Sequence, residues 1–333
     1  MSGRALGLVA SAMLGTPRLF RQRGAANVSA LLFHRFFADG EPRQRGIDRL
    51  RRELEWLRAA FVPVSLGRFV EGMADGSLPD RAVLVTTDDA HRDVLEVADT
   101  FAEYAVPFAV FVCAGWTAEA SEGTGEDLLA RVVSAIQWYE GTPTEVRYGG
   151  RSMVLAPARQ AANIDALLAA GDIPREALSD LCSRIDALSP KPRGGCTWAD
   201  LRALAGNAAI GIGAHSVSHI RLSQASALRR RFEIAESRRL CETLIGRCEA
   251  FAYPYGTDDA HSPETRTELA EAGFSTGFLT HSDFITTRSE RLTLPRLSMP
   301  DDPMGFAEFR ARARGAGIVM RRLKQALRGA RPA

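Results

Sequence analysis

Ala82-Val-Leu-Val-Thr-Thr87-Asp88-Asp89 is a run of four apolar residues and two threonines that stops on two adjacent carboxylates. Without polar alternation, such a run reads as a strand buried on both faces, the form strands take in a parallel sheet. Its carboxyl end delivers Asp88 and Asp89 to the rim where α/β barrels collect catalytic groups. The pair alone is weak evidence, because aspartate is common before a helix and Asp89 suits a helix cap equally well.

Working outward, further short runs of the same kind stand at Ser29–Phe33, Phe108–Val112, Ile210–Gly213, Ala250–Tyr253 and Thr276–Leu279. Helical patterns lie between most of them, at Asp48–Ala60, Arg92–Tyr104, Trp198–Ala205, Ala225–Ile245 and Pro263–Ala272. Gly246 and Gly273 fall where helices end on glycine. Strands alternating with helices predict a βα-repeating fold around a parallel sheet. About 85 residues separate Val112 from Trp198, far more than the 2–6 a βα connection needs. Helices at Glu126–Glu140 and Ala158–Ala170 and a Gly149-Gly150 hairpin fill that gap, so it reads as an inserted subdomain.

The chain has 333 residues, 46% hydrophobic and 25% charged, which excludes disordered, collagen-like and polytopic membrane proteins. Length allows about two domains, although a barrel of roughly 200–250 residues counts as one. Five cysteines (113, 182, 196, 241 and 248) form no C-x-x-C pair and predict a reduced, cytoplasmic protein rather than a disulfide framework. The net charge of +2 is unevenly spread: residues 1–26 carry four arginines and residues 309–333 carry eight bases, both without an acid. The middle is therefore acidic. Only Lys191 and Lys324 among 42 basic residues are lysine, a bias that does not by itself indicate nucleic-acid binding. Residues 5–15 have the length of a signal core, but Pro17-Arg18 follow without a cleavage site, so a short amphipathic helix is expected.

A second strand, Ile210–Gly213, runs straight into His215-Ser-Val-Ser-His219. Two imidazoles four residues apart reach one side of a single turn, and one carboxylate would complete a three-ligand metal site with a position left for water. A third strand ends in Phe251-Ala-Tyr-Pro-Tyr255-Gly256, where Pro and Gly pin a turn.

In this order, TTDD, HSVSH, FAYPYG and LPRL (residues 294–297) resemble the polysaccharide deacetylase family (NodB homology, carbohydrate esterase family 4) over residues 27–300. The resemblance implies a distorted (β/α) barrel of the polysaccharide deacetylase type with an inserted helical and hairpin subdomain. It implies Asp88 as general base, Asp89, His215 and His219 as ligands of a divalent metal, and the Tyr255 N–H as oxyanion support. Three positions depart from the family pattern. Ala90 replaces the usual glycine after D-D, and Ala252 replaces the arginine of the third motif, for which Arg296 is the expected substitute. The downstream L-x-H motif has no clear match, and Leu32-Phe33-His34 has its form, making His34 the expected general acid.

The expected domains are a basic segment (1–26), a barrel (27–310, insertion about 116–195) and a basic amphipathic tail (311–333). The expected activity is metal-dependent removal of acetyl from the N-acetylated sugars of a polysaccharide, oligosaccharide or lipid-linked glycan. Imidazole with carboxylate suits zinc. Hydrolysis of another C–N or ester bond, or a non-catalytic glycan-assembly role, are the alternatives. Substrate glycan but no nucleic acid is expected as partner. The tail, with Val319, Leu323 and Ala326 or Leu327 on one face among basic residues, is expected either to touch an anionic membrane or to dock on its own acidic barrel.

Overall fold

The computed structural model describes residues 28–38, 40–116, 128–188, 195–286, 288–301 and 304–329, the last with side chains to residue 322. The basic segment 1–26 and the tail side chains from Leu323 onward lie outside the described residues.

Eight parallel strands form the main sheet: β1 (Ser29–Phe33), β2 (Val62–Pro63), β3 (Ala82–Thr87), β4 (Phe108–Val112), then, after the hairpin strands β5 (Thr144–Tyr148) and β6 (Arg151–Leu155), β7 (Ile210–Ala214), β8 (Ala250–Ala252), β9 (Thr276–Phe278) and β10 (Leu297–Ser298). Their order is β10-β1-β3-β4-β7-β8-β9, with β2 on the start of β3. The two ends of this row meet. Leu294 bridges Phe278 in parallel, its N–H donates to the Gly277 carbonyl at 2.7 Å, and three residues later β10 pairs with β1 at Leu31–Leu297. The sheet thereby curls into a distorted (β/α) barrel.

The all-apolar strand runs have the physical reason expected of them: β1, β3 and β4 are buried at every residue. Leu31, Val83, Val85 and Val110 pack outward against the helices, while Ala30, Leu84, Ala109, Phe111 and Phe278 fill the barrel interior. Gly277 allows the closure, since a Cβ there would collide with the Leu292 carbonyl.

Residues 128–188 build a separate core from Val132, Val133, Ile136, Tyr139, Leu155, Leu181 and Ile185, with the hairpin turning on Gly149 and Gly150, both at positive φ. A third helix, Arg175–Leu188, joins the two expected from the sequence; its Leu178, Leu181, Cys182 and Ile185 carry helical spacing and all are buried. The helix Leu66–Asp75, with its Ser65 N-cap and Gly76 C-cap, was likewise not expected. The C-terminal helix Ala316–Gly329 begins docked on the barrel: Arg321 donates to the Ser282 carbonyl at 2.6 Å and Arg322 meets Asp283 at 2.7 Å. No helix among the described residues is long and apolar enough to cross a membrane. All five cysteines are buried and none is in a disulfide.

One buried charge sets a pH dependence. Glu53, in the helix Arg43–Ala60, is 1% exposed, and burial, only partly countered by Arg49, lifts its carboxyl to about 7. From about pH 4.5 to 7 the folded chain keeps a proton that the unfolded chain releases, so stability falls as pH rises through that window. Glu53→Gln is expected to raise unfolding free energy by about 1–3 kcal/mol at pH 8 and to leave it unchanged at pH 4. Urea melts at both pH values check this; a variant less stable at pH 8 would mean that the Arg49 ion pair outweighs burial.

Candidate active site

Apart from Arg296, which enters β10, each motif residue follows the carboxyl end of a strand, so these residues gather at one rim of the barrel. β3 hands over to Asp88 and Asp89, β7 to His215, and β8 to the turn carrying Tyr255. β1 hands over to His34, and β10 is preceded by Arg296. The ends of β1 and β3 are locked together: the Asp88 N–H donates to the Phe33 carbonyl at 3.1 Å, and Thr87 Oγ1 donates to that of His34 at 3.3 Å.

Asp89, His215 and His219 form a cluster whose ligand atoms all lie within 4.8 Å of one another. Asp89 Oδ1 is 3.5 Å from each Nε2, beyond a good hydrogen bond, and is buried with no hydrogen-bond partner. Tetrahedral zinc with ligands at roughly 2.1 Å would hold them about 3.4 Å apart. The donor set therefore fits a cation. The Nδ1 of His215 is 2.8 Å from the Ala252 carbonyl, which can only accept, so Nδ1 carries the proton and Nε2 presents a lone pair to the cluster. Burial pushes His219 down to about 4, leaving its imidazole neutral. Burial pulls the other way for Asp89, yet the imidazoles of His215 and His219 beside it hold its carboxyl well below the ordinary carboxylate range.

Asp88 is gripped from the other side. Arg296 Nη1 donates to its Oδ1 at 2.8 Å and Nη2 to its Oδ2 at 2.7 Å, while Nε donates to the Leu279 carbonyl at 2.9 Å. The guanidinium is fully buried beside the paired rings of Phe111 and Phe278, in whose cluster Ala252 also lies. Burial alone would raise the Asp88 carboxyl, but Arg296 and then His215 keep it below its usual value, ionised.

His34 lies at the same rim, 39% exposed in its side chain, with Nδ1 4.0 Å from Asp301. Tyr255 is 45% exposed; its ring stands 4.8 Å from that of His219 and 4.7 Å from the Arg221 guanidinium. Asp89 does not cap the following helix, whose N-cap is Arg92. His91 Nε2 stands 3.9 Å from Asp89, and His281 pairs with Asp258 at 3.4 Å.

Seven non-glycine residues among those described have positive φ, and five of them are Asp89, Ala90, Ser216, His219 and Tyr255. Each costs about 1–2 kcal/mol in the left-handed region, and such costs concentrate where function fixes geometry. Ala90, at φ 50°, occupies the conformation that the usual glycine would adopt without strain. Trp116 was not among the expected site residues: its ring lies tilted 5.1 Å from that of His219 and edge-on 5.4 Å from that of Trp138. The signal was available, because Trp116 follows the carboxyl end of β4 as the other site residues follow theirs.

No protein-family sequence model matches the chain, and no curated protein matches it in sequence. Solved structures do. The deacetylase PplD of Streptococcus pyogenes, in complex with acetate, matches with a TM-score of 0.50 at 15% identity, covering 83% of this chain and 93% of PplD. IcaB from Ammonifex degensii matches at 0.52 and 16% identity, covering 87% and 97%. A polysaccharide deacetylase from Bacillus cereus matches at 0.55 and 10% identity, covering 87% and 69%. At these identities the likeness establishes the fold. The chain is a distorted (β/α) barrel of the polysaccharide deacetylase type, with an Asp-His-His cluster at its strand ends that could hold a metal ion.

Proposed function

We propose that this protein is a metal-dependent deacetylase acting on the N-acetylated sugars of a glycan. The observation that carries the reading is the convergence, at one rim, of an Asp89-His215-His219 cluster with an Asp88 carboxylate held bidentately by Arg296. A divalent ion, zinc by the chemistry of the donors, would supply Lewis acidity toward the acetyl carbonyl and acidify a water.

The chain's own groups account for the remaining steps. Asp88, ionised and fixed in orientation by Arg296, takes the proton of the attacking water. The Tyr255 N–H, which has no acceptor among the described residues, supports the oxyanion. His34, open to solvent at the rim, donates a proton to the departing sugar amine. Trp116, Trp138 and Tyr255 give the mouth aromatic surface suited to a sugar ring.

Acetate release from N-acetylglucosamine oligomers and lipid-linked sugars by the metal-loaded protein tests the reading; a loaded protein that releases acetate from none of them would refute it. Two variants test the roles. Arg296→Lys keeps the buried charge but loses the two-pronged grip, and turnover is expected to fall roughly tenfold with metal content unchanged. His34→Ala should lower turnover roughly 10- to 100-fold, less than loss of a buried acid because water can replace an exposed donor. Full activity in His34→Ala would remove it from the mechanism.

A further inference from the structure

Glu233 and Arg229 lie on the helix Ala227–Ile245, 0% and 4% exposed, and take no part in the chemistry above. Glu233 Oε2 accepts from the backbone N–H groups of Val217 and Ser218, each at 2.9 Å, and Oε1 accepts from the Ser218 hydroxyl. Arg229 sits across the carboxylate, its Nε 3.5 Å from Oε1. Its Nη2 donates to Ser218 Oγ at 3.2 Å and to Gln137 Oε1 at 2.5 Å.

Val217 and Ser218 lie within the five-residue turn that begins and ends on the two imidazoles. That turn is strained, with Ser216 and His219 both at positive φ, at 61° and 54°, and its internal side-chain bond runs from the His219 N–H to Ser216 Oγ at 3.0 Å. Its carbonyl side is held by the segment after β4, where Ala114 N–H donates to Ser216 at 3.0 Å and Gly115 N–H to Val217 at 2.8 Å. Its amide side is held by Glu233. A buried carboxylate accepting two backbone N–H groups makes charge-assisted bonds, and the facing guanidinium offsets the cost of burying it. Gln137 closes the helix Leu128–Gln137 of the inserted subdomain, so Arg229 joins that subdomain to the turn.

We propose that Glu233 is the positioning residue that sets His215 and His219 at ligand spacing, and that Arg229, through Gln137, ties this spacing to the inserted subdomain. The inference rests on the metal reading above and concerns affinity for the ion, not the identity of the substrate.

The test is zinc titration of the metal-stripped, full-length protein against a chromophoric chelator, with thermal melts of each stripped variant. Glu233→Gln is expected to weaken zinc roughly 10- to 100-fold, as loss of groups behind metal ligands does. Gln137→Leu should weaken it by about threefold or more, through Arg229. Glu268→Gln is the control: Glu268, on the helix Pro263–Glu271, is another buried acid, paired with Arg230 of the helix that carries Glu233, and this variant should lower the melting temperature without changing zinc affinity. Glu233→Gln that folds and binds zinc within about twofold of the parent overturns the proposal, as does an equal loss of affinity in Glu268→Gln. Should Glu233→Gln fail to fold, Ser218→Ala, which removes one donor, decides by the same criterion. A parent protein that takes up no divalent ion would overturn the metal reading, and this proposal with it.

Discussion

Asp89→Asn is expected to abolish tight metal binding and acetate release together, with affinity for zinc falling roughly 1,000-fold, well beyond the 10- to 100-fold typical of groups behind the ligands. The substitution removes the negative charge of the cluster while keeping an oxygen in place. Asn tolerates the left-handed conformation that Asp89 adopts at φ 69°, so the turn should survive. The loss would then report on the ligand rather than on the fold. Metal analysis of the purified variant, beside circular dichroism to show it folded, checks the outcome. His215→Ala should behave alike, since its Nε2 stands 3.5 Å from Asp89 Oδ1. Full metal content in a folded Asp89→Asn would move the ligand role away from this carboxylate.

Much of this architecture was legible because burial leaves a simple trace. The six apolar strands could be read as runs because a parallel sheet covered on both faces has no polar residues to interrupt them. Asp88, His215 and Tyr255 could be read as candidate site residues because each sits one to three residues past such a run. What could not be read depends on contacts distant in sequence. Strand β10 is two residues long and exists only because closure of the barrel supplies it a partner in β1. Glu233 lies in a charged helix, ALRRRFEIAES, where nothing separates a buried acid from a solvated one until the turn above it is in place. The left-handed turns are likewise invisible, because Asp89, Ser216 and His219 are not residues that announce positive φ as glycine does.

Asp88→Asn separates proton transfer from metal binding, and the two adjacent aspartates make the comparison a direct one. Turnover is expected to fall roughly 100-fold or more, the usual contribution of a general base, while metal content stays near that of the parent. The side chain is 2% exposed and keeps its volume. Its guanidinium partner retains bonds to Thr86 Oγ1 at 3.1 Å and to the Leu279 carbonyl at 2.9 Å, so Arg296 is not stranded when the charge it pairs with is removed. The fold should therefore persist at a reduced melting temperature, because a buried cation has lost its counter-charge. Acetate-release rates and metal content, measured on the same preparation, decide the case. If Asp88→Asn loses metal and Asp89→Asn retains it, the roles within the pair are exchanged. If both retain metal and activity, the rim carboxylates do not act on the substrate.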